Sequence, residues 1–198
     1  MNKMLKLPLF LGACGLACAG LLAGVNAATK GPIQTYKDNK IKEEYVNIFS
    51  TNGYSVTKEQ LKTETAIDLT DAVYNAGGTG RALAIDIKGA AYTCKVKGYA
   101  GDVEFQVAFA EGKYLGYTNI KNSETSGYGA DLIASLTSLI KGNSSQDSIF
   151  ANDKYVGAMT GVSKTGKPVA DAIEACRNDY NSIDWEKLLE EEKANGGN

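Results

Sequence analysis

The chain has 198 residues, 43% hydrophobic and 22% charged, which is enough for one ordinary core once any targeting segment is set aside. With 21 basic and 23 acidic residues the net charge is −2, so there is no basic field for a phosphate backbone, and no nucleic acid is expected as a partner. Histidine is absent, which removes the usual general base near neutral pH and the commonest transition-metal ligand and argues against hydrolytic triads and zinc sites.

Lys3 and Lys6 precede an uncharged run over residues 7–28, long enough to cross a hydrocarbon core as a helix. Residues 1–29 are therefore read as a membrane anchor, a single signal-anchor helix left uncleaved. Two rival patterns lie in the same stretch. Val25-Asn26-Ala27 before Ala28 fits a signal-peptidase site, and Leu11-Gly12-Ala13-Cys14 imitates a lipoprotein box. After Cys14, however, the chain stays apolar where a lipoprotein would turn polar. Ala19, Gly20, Ala23 and Gly24 put small residues four apart, a face that a second transmembrane helix can approach closely. Lys3, Lys6 and the free amine favour a cytoplasmic N-terminus, with the body on the extracytoplasmic face of the cell membrane.

Residues 30–185 are expected to form the extracytoplasmic domain. Ile41, Tyr45, Ile48 and Phe49 mark an amphipathic helix that stops before Asn52-Gly53. Residues 72–74 and 82–87 flank Gly77-Gly78-Thr79-Gly80 and predict a hairpin. Strands follow over 92–96, 103–109 and 114–120; in the second, Val103, Phe105, Val107 and Phe109 alternate with Glu104, Gln106 and Ala108, so one face meets a core. Leu132, Ile133, Leu136, Leu139 and Ile140 form one helical face. Pro168 is expected at the first position of a further helix carrying Val169, Ala172, Ile173 and Cys176. Ser182 is read as the cap of a last helix with Trp185, Leu188 and Leu189 on one side, and residues 186–198 as a charged, partly disordered tail. The order predicts an α+β domain, an antiparallel sheet with flanking helices, preceded by the single N-terminal transmembrane helix. The four cysteines show no CxxC spacing; Cys94 and Cys176 either bridge within the body or stay as buried free thiols.

The chemistry points to two loops, each polar, glycine-bearing and followed by a helix. Gly161 to Lys167 satisfies G-x-x-x-x-G-K, but the position that needs a Ser or Thr hydroxyl for Mg²⁺ is Pro168, so a nucleotide-phosphate loop is not supported. The residues fit a phosphate held by, or esterified to, a loop hydroxyl instead. Gly161 permits close approach, Thr160, Ser163 and Thr165 offer hydroxyls, and the helix start with Lys167 offers donors and charge.

A resemblance covers both loops. GAMTGVSKTGKPVADAI (157–173) resembles the D-A-I-S-G-A-T-x-[ST]-S-R-A-V-x-x-A-V signature of FMN-binding domains, as found in the G subunit of Rnf-type ion-translocating oxidoreductases and the C subunit of the sodium-pumping NADH:quinone oxidoreductase. NSETSGYGA (122–130) is similar to the family's H-x-E-T-P-G-L-G loop, and GYAGDVEFQV (98–107) to its G-Y-x-G-x-I-x-x-x-V strand. The end of the anchor and residues 29–33 are similar to the G subunit's membrane segment.

The resemblance implies FMN attached through its phosphate to Ser163. It places Thr160, Gly161 and Val162 in the attachment loop, Thr165 and Lys167 near the phosphate, and Glu124, Thr125, Gly127, Tyr128 and Gly129 facing the flavin. It also implies a redox subunit rather than an independent catalyst, with other membrane subunits, membrane lipid and a flavin transferase as partners. The chain departs from the pattern at three places: Gly157 stands for the family's Asp, Val162 for its Ala, and Ser163 for its usual Thr. The rival expectations are a flavin-free extracytoplasmic docking domain and a stand-alone flavoprotein of extracellular electron transfer.

Overall fold

The computed structural model describes residues 3–64, 69 and 80–195. The chain divides into two units, Met1–Ile41 and Lys42–Asn198. A helix, α1, runs over Lys3–Thr51 and ends where the sequence indicates, with Gly53 left-handed at φ +89° immediately after it. Among the described residues no helix is long and apolar enough to cross a membrane. The side chains of residues 1–11, 13, 14 and 17, which include much of the apolar run, lie outside those described, so that run is not shown to span a bilayer.

The second unit is built on a five-stranded antiparallel meander in the order β1 (Leu61–Glu64), β2 (Gly80–Ala84), β3 (Gly89–Lys97), β4 (Asp102–Ala110) and β5 (Lys113–Lys121). The last three strands fall where alternation in the sequence places them. β1 lies inside the polar stretch 57–65, which carries too few apolar residues to signal a strand. The proposed strand over 72–74 and its turn at 77–79 lie outside the described residues.

Each face of the sheet has its own packing rule. On one face Tyr92, Cys94, Phe105, Val107, Phe109 and Tyr117 pack against two helices, α2 (Gly129–Ile140) and α4 (Ser163–Ser182). On the other, Ala82, Ala84, Ala91, Ala108 and Ala110 leave room for Tyr45, Ile48 and Phe49 from the end of α1. A Cβ on Gly80 would lie 2.8 Å from the Tyr45 hydroxyl, and one on Gly89 would lie 2.9 Å from the Phe49 ring. The sheet is thus bulky toward α2 and α4 and small toward α1, and both faces are covered. Gln106, on the second face, is buried and donates to Thr93 at 3.2 Å, while Thr93 in turn donates to the Tyr45 hydroxyl at 3.0 Å.

Two helix starts differ from expectation. α4 begins at Ser163, five residues before Pro168, which sits inside the helix. A short helix α3 (Asp153–Ala158) and the turn at Gly161 fix the chain direction so that Ser163 already enters helical backbone, and Pro168 removes only the amide that the Lys164 carbonyl would have received. The last helix, α5 (Trp185–Asn195), is capped by Asp184, whose carboxylate accepts from the Lys187 amide at 3.0 Å. Ser182 belongs to α4 and bonds back to the Asp179 carbonyl.

Candidate functional site

Three segments that lie far apart in the chain meet at Glu124. The β3–β4 connection is a tight turn in which the Gly98 amide donates to the Gly101 carbonyl at 2.7 Å. Beside it, Glu124 accepts from the Ala100 amide at 3.0 Å through one carboxylate oxygen and from the Thr165 hydroxyl at 2.8 Å through the other. Thr165, only 1% exposed, also accepts from the Tyr99 amide at 3.2 Å. The carboxylate occupies the space that side chains at two glycines would take: a Cβ on Gly98 would lie 2.2 Å from one oxygen and a Cβ on Gly129 2.5 Å from the other. Both glycines keep negative φ, so the close approach of Glu124 accounts for them rather than the backbone conformation. Glu124 and Thr165 thereby lock the 98–101 turn, the 122–128 loop and the first turn of α4 together.

The turn at Gly161 is held from below as well. Asn152 caps the start of α3, its side chain accepting from the amides of Lys154 and Tyr155, and the Tyr155 hydroxyl donates to the Gly166 carbonyl at 2.6 Å. Burial pushes the Tyr155 hydroxyl pKa upward, and nearby Asp171 adds to that shift, so the phenol stays a donor. A Cβ on Gly166 would lie 2.5 Å from Met159 and 2.9 Å from Leu132. The second glycine of the G-x-x-x-x-G-K match therefore serves helix packing. Between α3 and α4, Gly161 turns at φ +82°, a conformation glycine adopts without strain, and Gly127 does the same in the facing loop.

These supports leave an open cleft of about 420 Å³ between Gly127, Tyr128, Asp131, Leu132 and Ser135 on one side and Ala158, Thr160, Gly161 and Val162 on the other. Its size falls within the range of roughly 300–1,000 Å³ common for small-molecule sites. Thr160 is exposed at its rim, and exposed Ser163 follows Val162 directly as the first residue of α4. Val162 contributes no side-chain cap and its carbonyl accepts from the Thr165 amide at 3.0 Å, so the amides of Ser163 and Lys164 are the ones at the helix start left for an outside acceptor.

The residues named from sequence therefore separate into two groups. Thr160, Gly161, Val162, Gly127 and Tyr128 line the cleft, and Ser163 adjoins it. Glu124, Thr165 and Gly129 form the bonded support behind it. Thr125 contributes its carbonyl, which accepts from the Tyr128 and Ala130 amides. Lys167 is exposed, paired with Asp171 at 2.9 Å and set 5.8 Å over the Phe150 ring.

Further residues at or beside the cleft were not named as site residues from the sequence. Lys164 follows Ser163 and lies 5.3 Å over the ring of Tyr99, itself 70% exposed. Asp131 accepts from the Gly127 amide at 3.1 Å, and Ser135 lies one turn further along α2. Only adjacency to Ser163 in the chain could have marked Lys164. Tyr99 is the second residue of the G-Y-x-G segment and could have been named from it, whereas Asp131 and Ser135 are joined to the loops by folding. Among the described residues, no group of three or more Cys, Asp or Glu is placed to hold a metal ion.

No curated protein matches the chain. The family model of the FMN-binding domain matches residues 98–178, which run from the Gly98 turn through both loops of the cleft to the later turns of α4.

Proposed function

We propose that this chain is an extracytoplasmic electron carrier of a membrane-bound, Rnf-like ion-translocating oxidoreductase, holding FMN through a phosphate ester to Ser163. An FMN-binding domain suggests flavin-dependent electron transfer; covalent attachment, membership of such a complex and a membrane anchor over residues 1–29 are the further steps of this reading.

One observation carries it. The three segments that resemble the family's signatures are distant in sequence, yet Glu124 and Thr165 join them behind a single cleft with a free hydroxyl at its edge. The residues suit the cofactor: Gly161 and Gly127 permit close approach, Ser163 supplies the ester oxygen, and the Ser163 and Lys164 amides with the Lys164 ammonium offer donors and positive charge for a phosphate. Tyr128 and Leu132 provide ring and aliphatic surface on the α2 side. When bound, the isoalloxazine supplies the redox chemistry. The protein's part is to position and shield it, a task that needs no acid–base side chain and agrees with the absence of histidine.

Gly157, standing where the family pattern has Asp, favours a second reading in which the domain has lost its flavin and only docks partners. One experiment separates the two. The full chain is co-expressed with a flavin transferase, purified from membranes and measured before and after denaturation. Flavin absorbance in the native protein, with fluorescence staying on the denatured band, is the expected result. Flavin released on denaturation would make the binding non-covalent, and a colourless native protein would overturn the electron-carrier reading.

A further inference from the structure

We propose that Cys94 and Cys176 join as a disulfide that ties β3 to α4 in the oxidised protein. Cys94 lies in β3 on the face toward the helices and Cys176 lies in α4, and both are buried. Their sulfurs are 3.4 Å apart although the residues are 82 positions apart in the chain. A disulfide holds its sulfurs at about 2.05 Å, so closure asks for a movement of about 1.4 Å, within reach of small side-chain rotations. Each sulfur has the other as its hydrogen-bond partner. Both cysteines belong to the buried core between the sheet and α4, with Phe105 opposite Cys94 in β4 and the Asp179 carboxylate near Cys176, and no metal cluster includes the pair among the described residues.

The chemistry is thiol–disulfide exchange with a small-molecule or enzyme disulfide as oxidant. The Cys94–Cys176 bond forms, the oxidant's S–S bond breaks, and the oxidant's two sulfurs leave as thiols carrying the two protons. Burial, with Cys94 as the next cause, raises the Cys176 thiol well above its ordinary range, so the folded dithiol exposes almost no thiolate. Exchange therefore occurs while the chain is folding. The bond is structural and does not relay electrons to the cleft. Ser163 begins α4, and Cys176 lies thirteen residues further on, about 20 Å along the helix axis.

The test refolds the full chain with a glutathione redox couple, blocks remaining thiols with an alkylating agent and digests it with trypsin without reduction. The expected product is peptide 89–95 joined to peptide 165–177, lighter by two hydrogens than the separate peptides and released by a reductant. Both peptides recovered alkylated on cysteine would overturn the proposal. Thermal unfolding gives an independent readout. Reduction should lower the Tm of the oxidised wild-type chain by roughly 5–15 °C and leave that of Cys94→Ala unchanged. Cys94→Ala, Cys176→Ala and the double variant should lose similar amounts, because either single change already removes the bond. Losses that add, with no effect of reductant, would show two thiols that only pack.

Discussion

Glu124 binds an amide from one loop and a hydroxyl from a helix with two oxygens of one carboxylate, and Gly98 and Gly129 are small because it is there. Gly98→Ala places a methyl 2.2 Å from that carboxylate and should lower stability by about 1–3 kcal/mol in a denaturant titration, with much of the loss recovered in the Gly98→Ala, Glu124→Ser double variant. Equal losses in the single and double variants would mean that the methyl clashes elsewhere. Gly157 offers the opposite case, since a side chain there meets nothing within 4 Å. Gly157→Asp should leave the Tm within a few degrees of wild type and raise the fraction of chain that retains flavin after denaturation, measured against wild type under the same co-expression. An unchanged fraction would show that the departure from the family pattern at this position does not limit attachment. The motif residues were legible in the sequence, but their division of labour was not. Glu124 and Thr165 look like ligands in a linear pattern because hydroxyls and carboxylates serve cofactors and loop anchoring alike. Only the fold reveals that both are occupied by each other and by backbone amides.

α4 is the element on which the site depends, and it is fastened near both ends. Thr165 holds its first turn. Near its last, Asp179 accepts from Arg81 and from the Tyr92 hydroxyl, each at 2.6 Å, in a setting where both charged side chains are at most 17% exposed. Asp179→Ala leaves the Arg81 guanidinium poorly compensated, because its other partner is the more exposed Glu64. A loss of about 3 kcal/mol is expected by chemical denaturation, and a loss below 1 kcal/mol would mean that water replaces the carboxylate freely. Strands β3, β4 and β5 and helix α2 were readable because period-two and period-3.6 patterns are strong when one face is buried. The starts of α4 and α5 were misplaced. Pro168 and Ser182 are good start signals in isolation, but the Gly161 turn and the Asp184 cap, set by tertiary placement, prevail. β1 carries almost no signal of its own, since four residues with one buried side chain become a strand only by pairing with β2.

The whole molecule has an unusual titration profile, with no histidine and many buried tyrosines. Tyr45, Tyr92, Tyr117 and Tyr155 all have pKa values raised above the ordinary phenol, chiefly by burial. Raised folded values favour the protonated form, so their contribution is complete below about pH 10, the unfolded value, and disappears as pH climbs above it. Each such tyrosine removes about 1.4 kcal/mol of stability per pH unit in that window. Stability by urea titration should therefore be flat between about pH 6 and 8, where no histidine titrates, and should fall steeply above about pH 10, with the four buried phenols ionising only as the chain unfolds. Ionisation of these four phenols ahead of unfolding, followed residue by residue by NMR, would contradict the burial. The proposed anchor is a property of the intact chain. Full-length protein should stay with membranes through an alkaline carbonate wash, whereas a chain limited to residues 42–198 should not, and release of the full-length protein would remove the anchor from the account.

The proposed ester joins a flavin phosphate to Ser163, the first residue of α4. Its most direct test is mass spectrometry of the full chain co-expressed with a flavin transferase, as intact protein and then as tryptic peptides. A mass increase equal to FMN less one water is expected on the peptide that contains Ser163, absent in Ser163→Ala and retained in Thr160→Ala. An unmodified Ser163 peptide in the co-expressed wild-type protein would contradict it.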